Sequence, residues 1–200
     1  MRRWRDNDYP LIRTLAREAH ADILFLDESS IRTDYHSGTT WAKRGATPVV
    51  RSAAKRDKVN MISAISARGQ MRFMVFEGKL DAPQFIEFLQ RLSTGAARAV
   101  FLIVDGHPVH KSRAVQAWLK DVNADQVRLR LFFLPPYSPE LNPDELVWNH
   151  VKHHGVGRAA YSADQQLRRL VYRRLFSLQR RPAIIRSFFQ HPETQYAEIV

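Results

Sequence analysis

Two aspartates, Asp27 and Asp105, each stand directly after a short apolar segment. The segments read ADILFLDES (21–29) and AVFLIVDGHP (99–108), and their length favours buried strands over helices. If the two strands are parallel neighbours, both carboxylates emerge at the carboxyl edge of the sheet, where open α/β sheets place ligands. Converging carboxylates suit Mg²⁺ or Mn²⁺, and two such ions about 3.5–4 Å apart support phosphodiester cleavage. Taken singly, each aspartate also fits a turn, and Asp105-Gly106 is a common turn dipeptide.

A third carboxylate stands in LPPYSPELNPDELVWNHVK (134–152), where three prolines precede an acidic pair. Asn142, Pro143 and Glu145 have the order of a helix N-cap, a proline at the first helical position and a capping-box glutamate. Spacing alone favours capping as the role of Glu145. Capping is compatible with catalysis, because the cap also fixes where that carboxylate points. Asp144 is the alternative candidate.

The chain that positions these acids alternates strands with helices. A loose helical pattern covers residues 1–20, an extended piece is expected around Thr40 to Trp41, and VNMISAISARGQMRFMVFEGKL (59–80) reads as a hairpin. VRLRLFFLPP (127–136) reads as a further strand, stopped by proline. Helical spacing and capping residues predict helices at 81–96, 111–123, 143–154, 163–180 and 182–190. This order indicates an α/β fold with a mixed sheet.

Composition favours a polyanionic partner. The 200 residues include 31 Lys and Arg against 20 Asp and Glu, for a net charge of +11. Such a surplus is typical of nucleic-acid binding. The chain has no cysteine, which excludes disulfides and Cys-based zinc sites. No apolar run has the roughly 20 residues of a membrane span, so we expect a soluble cytoplasmic protein, associated with the nucleoid.

The last quarter of the chain carries much of the basic charge. Residues 151–200 hold nine Lys and Arg against three Asp and Glu. In LRRLVYRRLFSLQRR an apolar stripe at helical spacing alternates with arginines. The stripe consists of Leu167, Leu170, Val171, Leu175 and Leu178. We expect the arginines to be solvated or to face DNA, and a membrane-surface helix is the rival interpretation.

Four segments together resemble the DDE transposases of the mariner superfamily, in its bacterial insertion-sequence branch. They are LFLDES, TTWAKRGATP, FLIVDGHPVHKS and FFLPPYSPELNPDELVWNHVK, and the resemblance covers about residues 21–155. It implies a ribonuclease-H-like fold, with a mixed five-stranded sheet flanked by helices and followed by a helical C-terminal extension. It also implies that Asp27, Asp105 and Glu145 are the catalytic residues and hold Mg²⁺ or Mn²⁺, as two ions.

The same resemblance implies action on double-stranded DNA, both transposon ends and target, by a homodimer. Contacts to DNA are expected from a set of basic residues. They are Lys43, Arg44, His110, Lys111, Lys152, Arg168 and Arg173. His110 is expected either behind the site or on a phosphate. His150, His153 and His154 have spacing that superficially suits zinc, but a solvated face or a backbone contact is the preferred interpretation.

The resemblance also suggests how the chain is organised. A basic helical lead-in (1–20), the catalytic domain (21–155) and a basic helical extension packed on it (156–200) are expected. No helix-turn-helix module fits ahead of the first strand, so a separate DNA-binding half is the expected partner. The alternatives are a non-catalytic DNA-binding remnant and another ribonuclease-H-like nuclease.

Overall fold

The computed structural model describes residues 1–32, 44–45, 58–152 and 164–198. The strands are β1 (Asp22–Arg32), β2 (Lys58–Ile65), β3 (Met71–Phe76), β4 (Val100–Val104) and β5 (Leu129–Phe133). The helices are α1 (Tyr9–Glu18), α2 (Ala82–Thr94), α3 (Arg113–Val122), α4 (Glu145–Val151), α5 (Asp164–Gln179) and α6 (Pro182–Ser187). A π-helical turn precedes α1, and short 3₁₀ turns follow β4, β5 and α6. Each strand and helix predicted within the described ranges is present, and the piece expected around Thr40 to Trp41 lies outside them.

The five strands form one mixed sheet in the order β3-β2-β1-β4-β5. β1 and β2 pair antiparallel, as do β2 and β3, because the chain returns through the predicted hairpin. β4 runs parallel to β1, and β5 runs parallel to β4, each reached through a helix. The mixed sheet predicted from the order of elements is therefore confirmed.

Side chains alternate between the two faces of β1, and each face has its own core. Leu24 and Leu26 pack on the face covered by α2 and α3, whose buried residues include Phe85 and Leu89. Phe25 packs on the other face. That second core draws on the first and last parts of the chain and contains Trp4, Tyr9, Ile12, Trp148, Leu167, Val171, Leu175, Leu178 and Phe189.

The predicted α5 stripe is the face that α5 buries. Leu167, Val171 and Leu175 are fully buried, and Leu178 is nearly so. The arginines between them are exposed. In the part of the chain that the structure describes, no helix is both long and apolar enough to span a membrane.

The turn between β2 and β3 meets the start of α6. Gly69 has φ +86°, and a Cβ added there would lie 2.7 Å from the carbonyl oxygen of Pro182. Glycine is therefore needed twice, for its backbone conformation and for the close approach of α6.

The ends of the described chain are joined to each other. The Tyr9 hydroxyl donates to the carbonyl oxygen of Ala197 at 3.4 Å, and the Tyr9 ring stands edge-on to Tyr196. Arg5 pairs with Glu193 at 2.8 Å. These contacts fasten the first helical turns to the last ones.

Candidate active site

Asp27 lies in the middle of β1, which continues to Arg32 instead of ending near Asp27 as expected, whereas Asp105 directly follows the carboxyl end of the neighbouring β4. Phe25 of β1 pairs with Ile103 of β4 in the parallel ladder. Asp27 and Asp105 each come two residues later, so the same register places them side by side. The carboxyl end of a parallel strand is where α/β sheets bind their ligands.

Asp27 is held by the helix that follows the proline-rich segment. Its side chain faces α4, where the Trp148 indole N–H donates to Oδ2 at 2.8 Å. Only 8% of Asp27 is exposed. Burial raises the pKa of Asp27 well above its ordinary value, and the carboxylates of Glu145 and Asp144 raise it further. Asp27 is thus an oriented carboxylate in a region crowded with negative charge.

Asp144 is a buried structural residue. It has no exposed surface, and its carboxylate accepts hydrogen bonds from the backbone N–H of Asp27 at 2.9 Å and from the Ser63 hydroxyl. Asn142 donates its side-chain amide to the carbonyl oxygen of Leu26 at 2.9 Å. Asn142 and Asp144 therefore hydrogen-bond to the C=O and the N–H, respectively, of the peptide that joins Leu26 to Asp27.

Glu145 begins α4 and remains half-buried. The Asn142 side chain accepts from the Asp144 N–H, as an N-cap does, but the Asn142 N–H bonds to Pro139 instead of to Glu145. The predicted capping box is therefore not formed, because α4 begins only at Glu145 and Asp144 takes the N-cap position without a side-chain cap. Burial raises the pKa of Glu145, with Lys152 opposing this and Asp105 adding to it. Glu145 is close enough to interact with the charges of both Asp105 and Asp27.

The buried His110 links Asp105 to Glu28, which lies on the opposite face of the sheet from Asp27. His110 is fully buried and places Nε2 2.7 Å from Oε1 of Glu28 and Nδ1 3.1 Å from Oδ1 of Asp105. Burial opposes the charged ring, but the bonds to the two carboxylates prevail and raise the pKa of His110 to about 9. The bond from His110 lowers the pKa of Asp105. His110 therefore bridges two carboxylates, which favour its charged form.

Two groups of carboxylates lie close together on this part of the sheet. Within the described ranges, the ligand atoms of Glu28, Asp105 and His110 all lie within 4.8 Å of one another. Both nitrogens of His110 are taken up by the carboxylates, so this group is better explained as a charge bridge than as a metal site. Asp27 and Glu145 stand outside the group, on the α4 side.

The acids predicted from sequence, Asp27, Asp105 and Glu145, offer only carboxylate oxygens, and Glu145 is close enough to both aspartates to interact with their charges. Burial raises the pKa values of Asp27 and Glu145, and repulsion from neighbouring carboxylates raises them further. Mg²⁺ and Mn²⁺ prefer such oxygen ligands. The Asp105 side chain is 50% exposed and leaves the site open to a substrate.

The basic residues predicted to contact DNA have different surroundings. Lys152 lies close enough to Glu145 to lower its pKa, and the Lys111 ammonium lies 4.8 Å from the centre of the Phe133 ring, on the strand beside Asp105. Arg168 forms an ion pair with Glu77. Of the remaining four, Arg44 and Arg173 are exposed, and Lys43 lies outside the described residues together with His153 and His154. His110 is fully buried behind Asp105, so its expected contact with a DNA phosphate is wrong.

Two features of the site escaped prediction from sequence. Glu28 directly follows Asp27 in the sequence, and its bond to His110 spans 82 positions. Ser63 gave no signal at all, since a lone serine in an apolar strand is unremarkable. Strand alternation was the usable signal for Glu28, because it places that residue on the face opposite to Asp27.

Comparison with known proteins places this geometry in a family context. A family model described as DDE superfamily endonuclease matches residues 22–168. The chain is 32% identical over 133 residues to an uncharacterized 39 kDa protein of insertion element IS630 from Shigella sonnei. That match covers 65% of this chain and 37% of the IS630 protein, so the chain spans little more than a third of that relative's length.

Solved structures with a similar fold include the Mos1 mariner transposase. Its isolated catalytic domain aligns with a TM-score of 0.60 at 13% identity, covering 98% of this chain and 93% of that one. The Mos1 paired-end complex with Mn aligns with a TM-score of 0.64 at 15% identity, covering 98% and 62%. The predicted ribonuclease-H-like fold is confirmed by this likeness, and the family model confirms the predicted DDE family.

Proposed function

Because the chain belongs to the DDE superfamily endonucleases, we propose that it is the catalytic domain of a DNA transposase. It cleaves phosphodiester bonds at the ends of a mobile element and joins the freed ends to target DNA. The observation that carries this proposal is that Asp27 on β1 and Asp105 just after the neighbouring β4 both lie within charge interaction of Glu145 on α4.

Asp27, Asp105 and Glu145 would hold the metal ions, which we propose to be two Mg²⁺ or Mn²⁺ ions. When bound, such ions polarise the scissile phosphate and stabilise charge on the leaving oxygen. Asp27 presents one oxygen to the site while Trp148 retains the other. His110 keeps Asp105 ionised and ready to act as a ligand.

The protein's own groups orient the substrate and leave the chemistry to oxygen nucleophiles. Water attacks in end cleavage, and the freed 3′-hydroxyl attacks in strand transfer. Lys111 and Lys152 flank the carboxylates and supply positive charge for the DNA backbone at the site. Lys43, Arg44, Arg168 and Arg173 are proposed to extend that contact.

Double-stranded DNA is the proposed partner, with a homodimer acting on paired ends and a separate helix-turn-helix half supplying end recognition. The Mos1 structures that share the fold include a paired-end complex with a transposon end. The division into a lead-in (1–20), a catalytic domain (21–155) and a packed extension (156–200) remains a proposal, as does residence in the cytoplasm at the nucleoid.

Nicking of supercoiled plasmid DNA by the purified chain in Mn²⁺ tests the proposal. Asp27→Asn, Asp105→Asn and Glu145→Gln are each expected to abolish nicking. Glu140→Gln removes an exposed carboxylate five positions before Glu145 and is expected to keep full activity.

The same assay separates the proposed function from its alternatives. Tight DNA binding without metal-dependent nicking by the wild-type chain would indicate a non-catalytic remnant. Preferential cleavage of the RNA strand in an RNA–DNA hybrid would indicate another ribonuclease-H-like nuclease. Strand transfer of pre-cleaved ends in Mn²⁺ is the positive result specific to a transposase.

A further inference from the structure

The outer face of α5 carries two exposed aromatic rings among arginines. Tyr172 is 52% exposed and Phe176 is 44% exposed. Together with four neighbours they line a shallow concavity of about 350 Å³, which we call the α5 aromatic surface. Its residues are Tyr172, Arg173, Phe176, Ser177, Arg180 and Arg181.

The two rings are held in a fixed arrangement. They lie one helical turn apart, with centroids separated by 6.2 Å and planes only 9° apart. Phe73 of β3 stands edge-on to Tyr172 at 5.5 Å, and the Arg180 guanidinium lies 5.9 Å from the centre of the Phe176 ring. The rings are therefore braced against the sheet and against a cation.

Packing of α5 does not account for these rings. The helix is anchored by its buried stripe of Leu167, Val171, Leu175 and Leu178, and although Tyr172 also contacts Phe73 of β3, about half of each ring stays exposed. Large aromatic residues left in water next to each other commonly mark a binding surface. Their position thus requires a partner rather than a core.

Charge indicates what kind of partner fits. α5 and the two residues after it carry six arginines and one acidic residue. The arginines are Arg168, Arg169, Arg173, Arg174, Arg180 and Arg181. Within the described part of the chain, Arg173 and Arg181 form no ion pair. An array of cations around aromatic faces matches a polyanion that offers flat rings of its own.

We propose that the α5 aromatic surface binds single-stranded DNA, with bases stacked on Tyr172 and Phe176 and phosphates on Arg173 and Arg181. Stacking requires an exposed base face, and in an intact duplex only the terminal pairs offer one. The surface therefore selects unpaired strands over duplex DNA. The choice of DNA as the polymer rests on the proposed function, but binding to this surface needs none of the candidate catalytic residues.

Equilibrium binding to a fluorescent oligothymidylate, measured in EDTA so that no cleavage occurs, tests this surface. Tyr172→Leu/Phe176→Leu keeps the apolar bulk and the net charge while removing both rings. Each stacked base contributes about 1–3 kcal/mol, so we expect at least a tenfold rise in Kd. The matched control Tyr172→Phe/Phe176→Tyr keeps both rings and is expected to bind as the wild type does.

Two further measurements separate stacking from charge. Binding of the Leu/Leu variant to a blunt duplex is expected to stay within about twofold of the wild type, because base faces are hidden there. Arg173→Gln/Arg181→Gln is expected to weaken both DNAs and to flatten the salt dependence by about one unit for each lost phosphate contact. The single variant Phe176→Leu is available should the double variant unfold.

Several results would overturn the proposal. Unchanged affinity of the Leu/Leu variant for oligothymidylate is one, and an equal loss for duplex DNA is another. If light scattering shows that the wild-type chain self-associates and the Leu/Leu variant does not, the surface instead binds a second copy of the chain. Binding of oligouridylate clearly tighter than that of oligothymidylate would assign it to RNA. Because the assay contains no metal, failure here leaves the nicking result of Asp27 and its partners untouched.

Discussion

Asp144 and Glu145 are neighbours with opposite environments. Asp144 is fully buried and bonds to Ser63 and to the backbone of Asp27, whereas Glu145 is half-buried and shares the charge environment of Asp105. The one residue between Pro143 and Glu145 therefore fastens α4 to β1, while Glu145 is left for the substrate side.

Replacement of each acid should separate stability from activity. Asp144→Ala leaves the Ser63 hydroxyl and the Asp27 N–H buried without an acceptor, so the free energy of unfolding should fall by about 1–3 kcal/mol. Glu145→Gln removes charge repulsion and should not lower it. Urea unfolding monitored by tryptophan fluorescence measures both. Equal destabilisation by the two variants would contradict the assignment.

Metal binding should be visible without any cleavage assay. A ligand that binds only the folded chain raises its melting temperature, by about 2–4 °C for each kcal/mol of binding at this size. Mn²⁺ should therefore raise the melting temperature of the wild type, and EDTA should reverse the shift. Asp27→Asn should lose the shift, and Glu140→Gln should keep it. A shift that persists in Asp27→Asn would place the ion elsewhere.

At the level of residues, the sequence indicated which acids are candidates for the site but not what surrounds each of them in the fold. Asp27 and Asp105 were visible because each ends an apolar run, a purely local signal. The bridge from Glu28 through His110 to Asp105 was not visible, because it depends on which face of β1 meets the turn after β4. Likewise, nothing local separates a buried Asp144 from a half-exposed one.

Helices were predictable wherever helical spacing of apolar residues coincided with an N-cap residue. α2 begins after Asp81, whose side chain accepts from the Gln84 N–H as an N-cap should. α3 begins after Ser112 in the same way. The start of α4 was harder to predict, because the side chains of Asn142 and Asp144 hydrogen-bond to the backbone of β1.

The contact between the β2–β3 turn and α6 allows a controlled test. Gly69→Ala should lose about 2–4 kcal/mol of unfolding free energy, from positive φ and from overlap with Pro182. Gly78 has a similar φ of +77°, but an added Cβ meets nothing closer than 4.0 Å. Gly78→Ala should therefore lose only the part of the unfolding free energy that comes from the positive φ, about 1 kcal/mol. Thermal melts of the two variants check the difference.

The whole molecule is closed by tyrosines from its two ends. Burial raises the pKa of Tyr9 to about 12, and burial also raises the pKa of Tyr196. Tyr196 donates to the carbonyl oxygen of Leu141 at 2.7 Å, in the segment just before α4. The junction of the two ends thus also supports the segment that carries Glu145.

Alkaline pH should loosen this junction. Tyrosine in an unfolded chain ionises near pH 10, whereas Tyr9 in the folded chain holds its proton to about pH 12. The unfolded state therefore binds fewer protons between these values, and stability present below pH 10 falls as pH rises. Denaturant unfolding at pH 8 and 11 should show this loss. Tyr9→Phe/Tyr196→Phe should show a smaller one, and an identical loss would refute the cause.

The joining of the two ends also sets an order of events during synthesis. Tyr9 can meet Phe25 of β1 early, but Ala197 follows it by 188 positions and arrives last. At about 5–20 residues per second, the interval on the ribosome is about 10–40 s. Until then the buried faces of Trp4 and Ile12 lack their final covering. A nascent chain interrupted before α6 would therefore display an open apolar layer, and its hazard would be aggregation rather than slow catalysis.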